Sequence, residues 1–114
     1  MLGITLKDTV GMMNSAYYKE RFIAEYWQTK IRYEKLKAFN NKIDAAFQTM
    51  GVCPGEEGKR VEMPVHDCPA SVLRDQQEMM GRYLHILEVR AVIEGIDLDE
   101  PFKCCCGDII ENKS

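Results

Sequence analysis

The sequence predicts an all-α fold, a short N-terminal helix followed by a long antiparallel helical hairpin, assembled as an oligomeric helical bundle. Three observations carry this prediction. Residues 15–50 contain neither Pro nor Gly and repeat apolar side chains at steps of four and three. A second run of the same periodicity, with Gly81 inside it, lies between Pro69 and Gly95. The stretch between them, "GVCPGEEGKRVEMPVHDCP", holds three of the four prolines and three of the eight glycines, the composition of a connecting loop.

Residues 5–13 read as a short opening helix. Thr5 with Asp8 three residues on has the spacing of a capping box. Leu6, Val10 and Met13 share a face, and Gly11 weakens the interior. The long helix is expected over 15–50, with Asn14 or Ser15 as its N-cap. Its seam runs Phe22, Tyr26, Thr29, Tyr33, Leu36, Asn40, Ile43, Phe47, Met50, a heptad pattern with polar breaks at Thr29 and Asn40. At 1.5 Å per residue it would extend roughly 54 Å, more than a compact monomer accommodates without a partner along its length. Ile23, Trp27 and Ile31 form a second stripe, so the apolar surface is wider than one partner helix covers.

Residues 51–68 are the loop, with room for a short hairpin around Gly58. The second long helix is expected over 69–94, with Pro69 at its first position and Gly95 as its stop. Leu73, Met80, Leu84, Leu87 and Ala91 make one seam; Met79, Tyr83, Ile86 and Ile93 widen it. Gly81, mid-helix, lets another helix approach closely. Residues 95–114 form an irregular tail. Helices with apolar surface on two sides bury the remainder by self-association, so a homo-oligomer is expected.

At 114 residues the chain reads as a single domain, residues 1–114. No window approaches the ~18 uninterrupted apolar residues of a membrane span. The N-terminus lacks a basic start, a long apolar centre and a cleavage site, so a cytoplasmic protein with no membrane partner is expected. The net charge is −3. It divides into a basic first half (eight Lys and Arg against five acids in residues 1–50) and an acidic remainder (seven against thirteen). A non-specific DNA binder shows the opposite overall sign. The odd cysteine count of five, with no secretion signal, points to reduced thiols. Paired C-x2-4-C spacings are missing, and Cys104, Cys105 and Cys106 are adjacent, which does not suit one ion; no metal site is expected.

Catalysis finds little support. None of HExxH, GxSxG, a P-loop GK[ST] or GxGxxG occurs. Cys68 stands beside His66 and Asp67, but adjacent side chains diverge, and nucleophile–base pairs meet in space. Arg82, His85 and Glu88 share a helix face and read as a solvated or interface ion cluster. The expectation is a protein that is no enzyme and needs no cofactor.

The residues from Asn14 to Phe39, "NSAYYKERFIAEYWQTKIRYEKLKAF", gather four tyrosines and a tryptophan among basic residues. Tyr17, Tyr18, Lys19 and Arg21 fall in the first turns of the long helix, where unpaired N–H groups and the positive dipole end favour phosphate. A tyrosine ring is a stacking surface for a base, worth roughly 1–3 kcal/mol. Packing in a helix seam, with cations as solubilising rim, explains the same residues. Tyr17 and Tyr18 are adjacent, however, and do not both face one seam. Arg82 and Arg90 from the second helix are further candidates, supplied from another subunit. Lys30, Arg32 and Lys35, near Trp27 and Tyr33, form a second basic stretch.

"YKERFIAEYWQTKIRYEKL" together with "DCPASVLRDQQEMMGRYLHILEVRAVIEGI" resembles a family of small phage and prophage helical-hairpin proteins common in phages of gut bacteria. The resemblance covers both helices and is most specific in "YKERF", "KIRYEKL", "CP", "LEVRA" and "IEGI". The central loop is longer than the resemblance leads one to expect, and the cysteine tail has no counterpart in it. In architecture the chain is more distantly similar to phage anti-defence sponge proteins of the anti-CBASS and anti-Thoeris types. That similarity implies an oligomer that sequesters a cyclic nucleotide immune signal without catalysis. The alternative is a protein-binding inhibitor of a host defence enzyme, of the anti-CRISPR type, acting through the acidic second half.

Overall fold

The computed structural model describes residues 3–51 and 60–102. They form an all-α structure, with no strand among them. The helices are α1 (Val10–Met13), α2 (Tyr18–Gln48) and α3 (Ala70–Glu94), with 3-10 turns at Leu6–Thr9 and Glu100–Phe102. The chain falls into two compact units. One comprises residues up to Ile31 and from Leu84 on; the other is Arg32–Tyr83. The expected hairpin around Gly58, Cys53 and Cys104–Cys106 lie outside the described residues.

In the first unit, the opening segment is held by its own polar side chains. The Thr5 N–H donates to Asp8 Oδ2 at 2.9 Å, the reciprocal contact that the Thr-x-x-Asp spacing foretold. Thr9 is fully buried. Its hydroxyl donates to the Leu6 carbonyl at 2.7 Å and accepts from Gln28 Nε2 at 2.9 Å, which docks the segment onto α2. Asn14 closes α1 instead of opening α2: its N–H reaches the Val10 carbonyl. The Ser15 hydroxyl accepts from the Tyr17 N–H, and its carbonyl accepts from Arg21 Nη1. Ser15 is thus consumed in a local turn, and α2 starts three residues beyond it, at Tyr18.

The first part of α2 packs antiparallel to the last part of α3. Phe22, Ile23, Trp27, Ile31, Leu84, Leu87 and Ala91 are buried, each large side chain contributing about 1.5–3 kcal/mol. Tyr26 Oη donates to Glu88 Oε2 at 2.7 Å across the pair. The second stripe of α2, Ile23, Trp27 and Ile31, is buried within this unit. At Trp27 the chain itself supplies the cover. The indole N–H donates to the Leu98 carbonyl at 2.7 Å, and the ring meets Phe102 edge-on at 5.9 Å. The tail reaches this position because α3 ends in a Schellman motif: Gly95 takes φ +71°, and the Ile96 N–H bonds the Ala91 carbonyl at 2.8 Å. Residues 100–102, expected to be irregular, form a 3-10 turn there.

In the second unit the later part of α2 and the earlier part of α3 again run antiparallel. Ile43 and Ala46 are buried. Asn40 is buried as well, donating Nδ2 to Gln77 Oε1 at 2.8 Å and to the Leu73 carbonyl at 3.2 Å, while its Oδ1 has no partner. Gly81 does what its position implied. A Cβ there would stand 3.3 Å from Cε1 of Tyr33, so the bare backbone makes room for the ring. Phe47 and Met50, placed at the end of the expected seam, are exposed. Pro69 is the N-cap of α3 and not its first residue: its carbonyl accepts from the Val72 N–H at 3.0 Å, and α3 begins at Ala70, one residue later than expected. His66 Nδ1 lies 2.7 Å from the Cys68 carbonyl, and its ring meets Phe39 edge-on.

Candidate functional site

The first turn of α2 points Tyr18 toward the last turn of α3. The Tyr18 hydroxyl donates to Glu94 Oε1 at 3.0 Å and accepts from Arg90 Nη2 at 2.5 Å. Arg90 Nε reaches Glu94 Oε2 at 3.3 Å, closing a triangle of three side chains. Phe22, one turn after Tyr18, supplies the floor: the Arg90 guanidinium carbon stands 4.9 Å from its ring centroid. The Tyr18 and Phe22 rings are tilted, 5.9 Å apart. Partial burial and the hydrogen bond to Glu94 raise the Tyr18 pKa above its ordinary value, against the lowering influence of Arg90.

Lys19 projects toward the tail, with Nζ 3.4 Å from Glu100 Oε1. Tyr17 is 71% exposed and Tyr18 48% exposed. Arg21 turns back onto the Ser15 carbonyl at 2.8 Å. Of the expected ligand residues, then, Tyr18 and Arg90 are in direct contact; Lys19 and Arg21 lie on the first turn of α2, and Tyr17 immediately precedes it. Arg90 comes from the same chain, where a contribution from another subunit was expected.

Arg82 belongs to the other unit and pairs with Glu78 Oε2 at 3.0 Å. The expected Arg82–His85–Glu88 grouping is divided: Arg82 turns to Glu78, and Glu88 accepts from Tyr26. Arg32 and Lys35 of the second basic stretch are exposed.

Phe22, Glu94 and Glu100 were missing from the expected site. Arg90 and Glu94 stand four apart on one helix, and so do Tyr18 and Phe22, so both pairings were readable as helical neighbours. Glu100 was not, because it reaches Lys19 only through the turn that follows Gly95.

A cavity of about 800 Å³ lies in the second unit, lined by Ala46, Met50, Arg60, Val61, Glu62 and Met63. The described residues of its lining include the Arg60 guanidinium and the Glu62 carboxylate but no aromatic ring. The Tyr18–Arg90 cluster has both the rings and the cations that a nucleotide requires, and we take it as the candidate site. Among the described residues no group of His, Cys, Asp and Glu could hold a metal ion, and no helix is long and apolar enough to cross a membrane.

No curated protein and no solved structure matches the chain. Residues 16–60, a stretch that contains Tyr17, Tyr18, Lys19 and Arg21 and stops short of α3, match the model of the family described as Sequestin, a name that denotes sequestration.

Proposed function

We propose that this protein is a phage or prophage anti-defence protein that binds and withholds a cyclic nucleotide immune signal. It acts without catalysis, as a homo-oligomer in the cytoplasm of the bacterial host. The observation that carries the reading is the exposed pair Tyr17–Tyr18, in the stretch whose sequence is similar to Sequestin, with Lys19 next in the chain and Arg90 of α3 against Tyr18. A tyrosine ring stacks on a base; Lys19, Arg21 and Arg90 meet phosphate oxygens. Arg82 from a second copy is a further phosphate contact. Sequestration depends on affinity and stoichiometry, so no general base or nucleophile is required.

The oligomer is supported by apolar side chains that the chain leaves uncovered. In the first unit these are Ile86, Val89, Val92 and Ile93 of α3; in the second they are Val72 and Met79. Calorimetric titration against cyclic di- and trinucleotides and cyclic ADP-ribose isomers tests the function. Binding by at least one of them, lost in the Tyr17→Ala/Lys19→Ala variant with helix content and mass unchanged, is the expected result. Absence of heat with every member of the panel removes the proposal.

The second reading is a protein-binding inhibitor of a host defence enzyme. The exposure of Val92 (82%) and Ile93 (76%) favours it, because a protein partner covers such side chains. A stoichiometric host protein captured on the tagged chain, with no ultraviolet-absorbing small molecule, supports this reading over the first.

A further inference from the structure

Two of the cations beside the exposed tyrosines, Arg90 and Lys19, are already engaged by a carboxylate of the same chain. Arg90 is fixed on three sides: its face lies over Phe22, Nη2 meets the Tyr18 hydroxyl and Nε meets Glu94. Lys19 is held by Glu100. Glu94 and Glu100 offset the charges of Arg90 and Lys19, which weakens the attraction of these two cations for an incoming anion.

We propose that Glu94 and Glu100 are resident substitutes for the ligand's anionic groups, so that phosphate enters by exchange with them. The proposal rests on the reading of Tyr18, Lys19 and Arg90 as ligand contacts. Both ion pairs are about half exposed, so water screens them and each carboxylate is held weakly. Glu94 is also the last residue of α3, where the negative end of the helix dipole disfavours a carboxylate. A phosphate carries more charge and more acceptor oxygens, and replaces the carboxylate at the same donors.

The exchange gives each group a defined part. Tyr18 redirects its hydroxyl from Glu94 to the incoming oxygen. Arg90 keeps its place over Phe22 throughout, so the guanidinium is oriented before the anion arrives. Glu94 and Glu100 are positioning residues that set a threshold: an anion too weak to displace them is left in solution.

The experiment is an NMR titration of the full chain with inorganic phosphate, following the Arg90 Nε–H and Lys19 Nζ signals. Wild type is compared with Glu94→Gln, Glu100→Gln and the double variant. Glutamine keeps the shape and an acceptor for Tyr18 while removing the charge. The half-saturating phosphate concentration at Arg90 is expected to fall about two- to five-fold in Glu94→Gln, with the same change at Lys19 in Glu100→Gln. The two effects are expected to combine in the double variant, because the carboxylates serve different cations. Asp44→Asn, which frees Arg74 in the other unit, leaves both signals unaltered.

Unchanged or weaker phosphate binding in Glu94→Gln and Glu100→Gln overturns the proposal. A wild-type protein that binds no cyclic nucleotide but ranks the variants in this order loses the sequestration reading and retains the exchange. Nucleotide binding without that order does the reverse.

Discussion

The indole of Trp27 hydrogen-bonds the carbonyl of Leu98 at 2.7 Å, tying the chain after α3 to the first half of α2. Phe102 packs against the same ring. A stripe that by spacing alone called for a second subunit is therefore covered within the chain at this point. Trp27→Phe keeps an aromatic six-membered ring, removes the pyrrole part of the indole and leaves the Leu98 carbonyl without its donor. The expected cost is about 1–2 kcal/mol in chemical denaturation. Amide exchange over residues 97–102 should rise with it, while residues 33–48 keep their protection.

Tyr18 reports on its own neighbours. Its pKa lies above the ordinary value of about 10, because partial burial and the bond to Glu94 favour the neutral phenol more than Arg90 favours the phenolate. For an acid raised on folding, the stabilisation is complete below the unfolded pKa. It disappears as pH climbs through the folded one. Titration of the Tyr18 ring carbon signal should place its midpoint above 10. In Glu94→Gln that midpoint should move down; a midpoint indifferent to the substitution would mean that the hydroxyl does not serve Glu94 in solution.

Asn40 is a buried amide that is served on one side only. Its amide nitrogen has two partners and its oxygen has none, and an orphaned buried acceptor costs about 1–3 kcal/mol. Asn40→Leu removes the orphan and fills the same space. Gln77 is half-buried and can turn to water. An increase of about 1 kcal/mol in unfolding free energy is expected, read from the denaturant midpoint. A loss of stability would show that the two amide bonds outweigh the orphan.

Two substitutions on α3 separate folding from assembly. Leu84 is buried within its own unit, so Leu84→Asp removes a core side chain and inserts a charge. It should cost about 3–5 kcal/mol and reduce helix content, unlike a change that only parts subunits. Val92→Lys with Ile93→Glu alters side chains that the chain leaves open. Light scattering should give a smaller particle for that variant, with circular dichroism unaltered. Equal mass before and after would take this face out of the oligomer.

Much of this was legible in the residues. The Pro- and Gly-free run to Met50, the Gly95 stop and the Thr5–Asp8 spacing are local signals, and local hydrogen bonding answers them. The close approach at Gly81 was also legible, since an absent side chain mid-helix has few other uses. At the candidate site, Tyr17, Tyr18, Lys19 and Arg21 were readable from their place at the start of α2. The start itself was misplaced because Asn14 and Ser15, good caps by type, are spent on α1 and on a turn. That competition is invisible in a list of propensities.

By itself the sequence determined the helices, their apolar faces and the gathering of rings and cations at one helix end, because each depends on neighbours within a turn or two. Tertiary structure alone decided which faces are covered and which charges meet. The turn after Gly95 brings Leu98 and Phe102 to Trp27 and Glu100 to Lys19. The antiparallel packing brings Arg90 and Glu94 to Tyr18. These pairs lie more than seventy residues apart in the chain, and periodicity states which side of a helix is sticky, never which distant segment will close upon it.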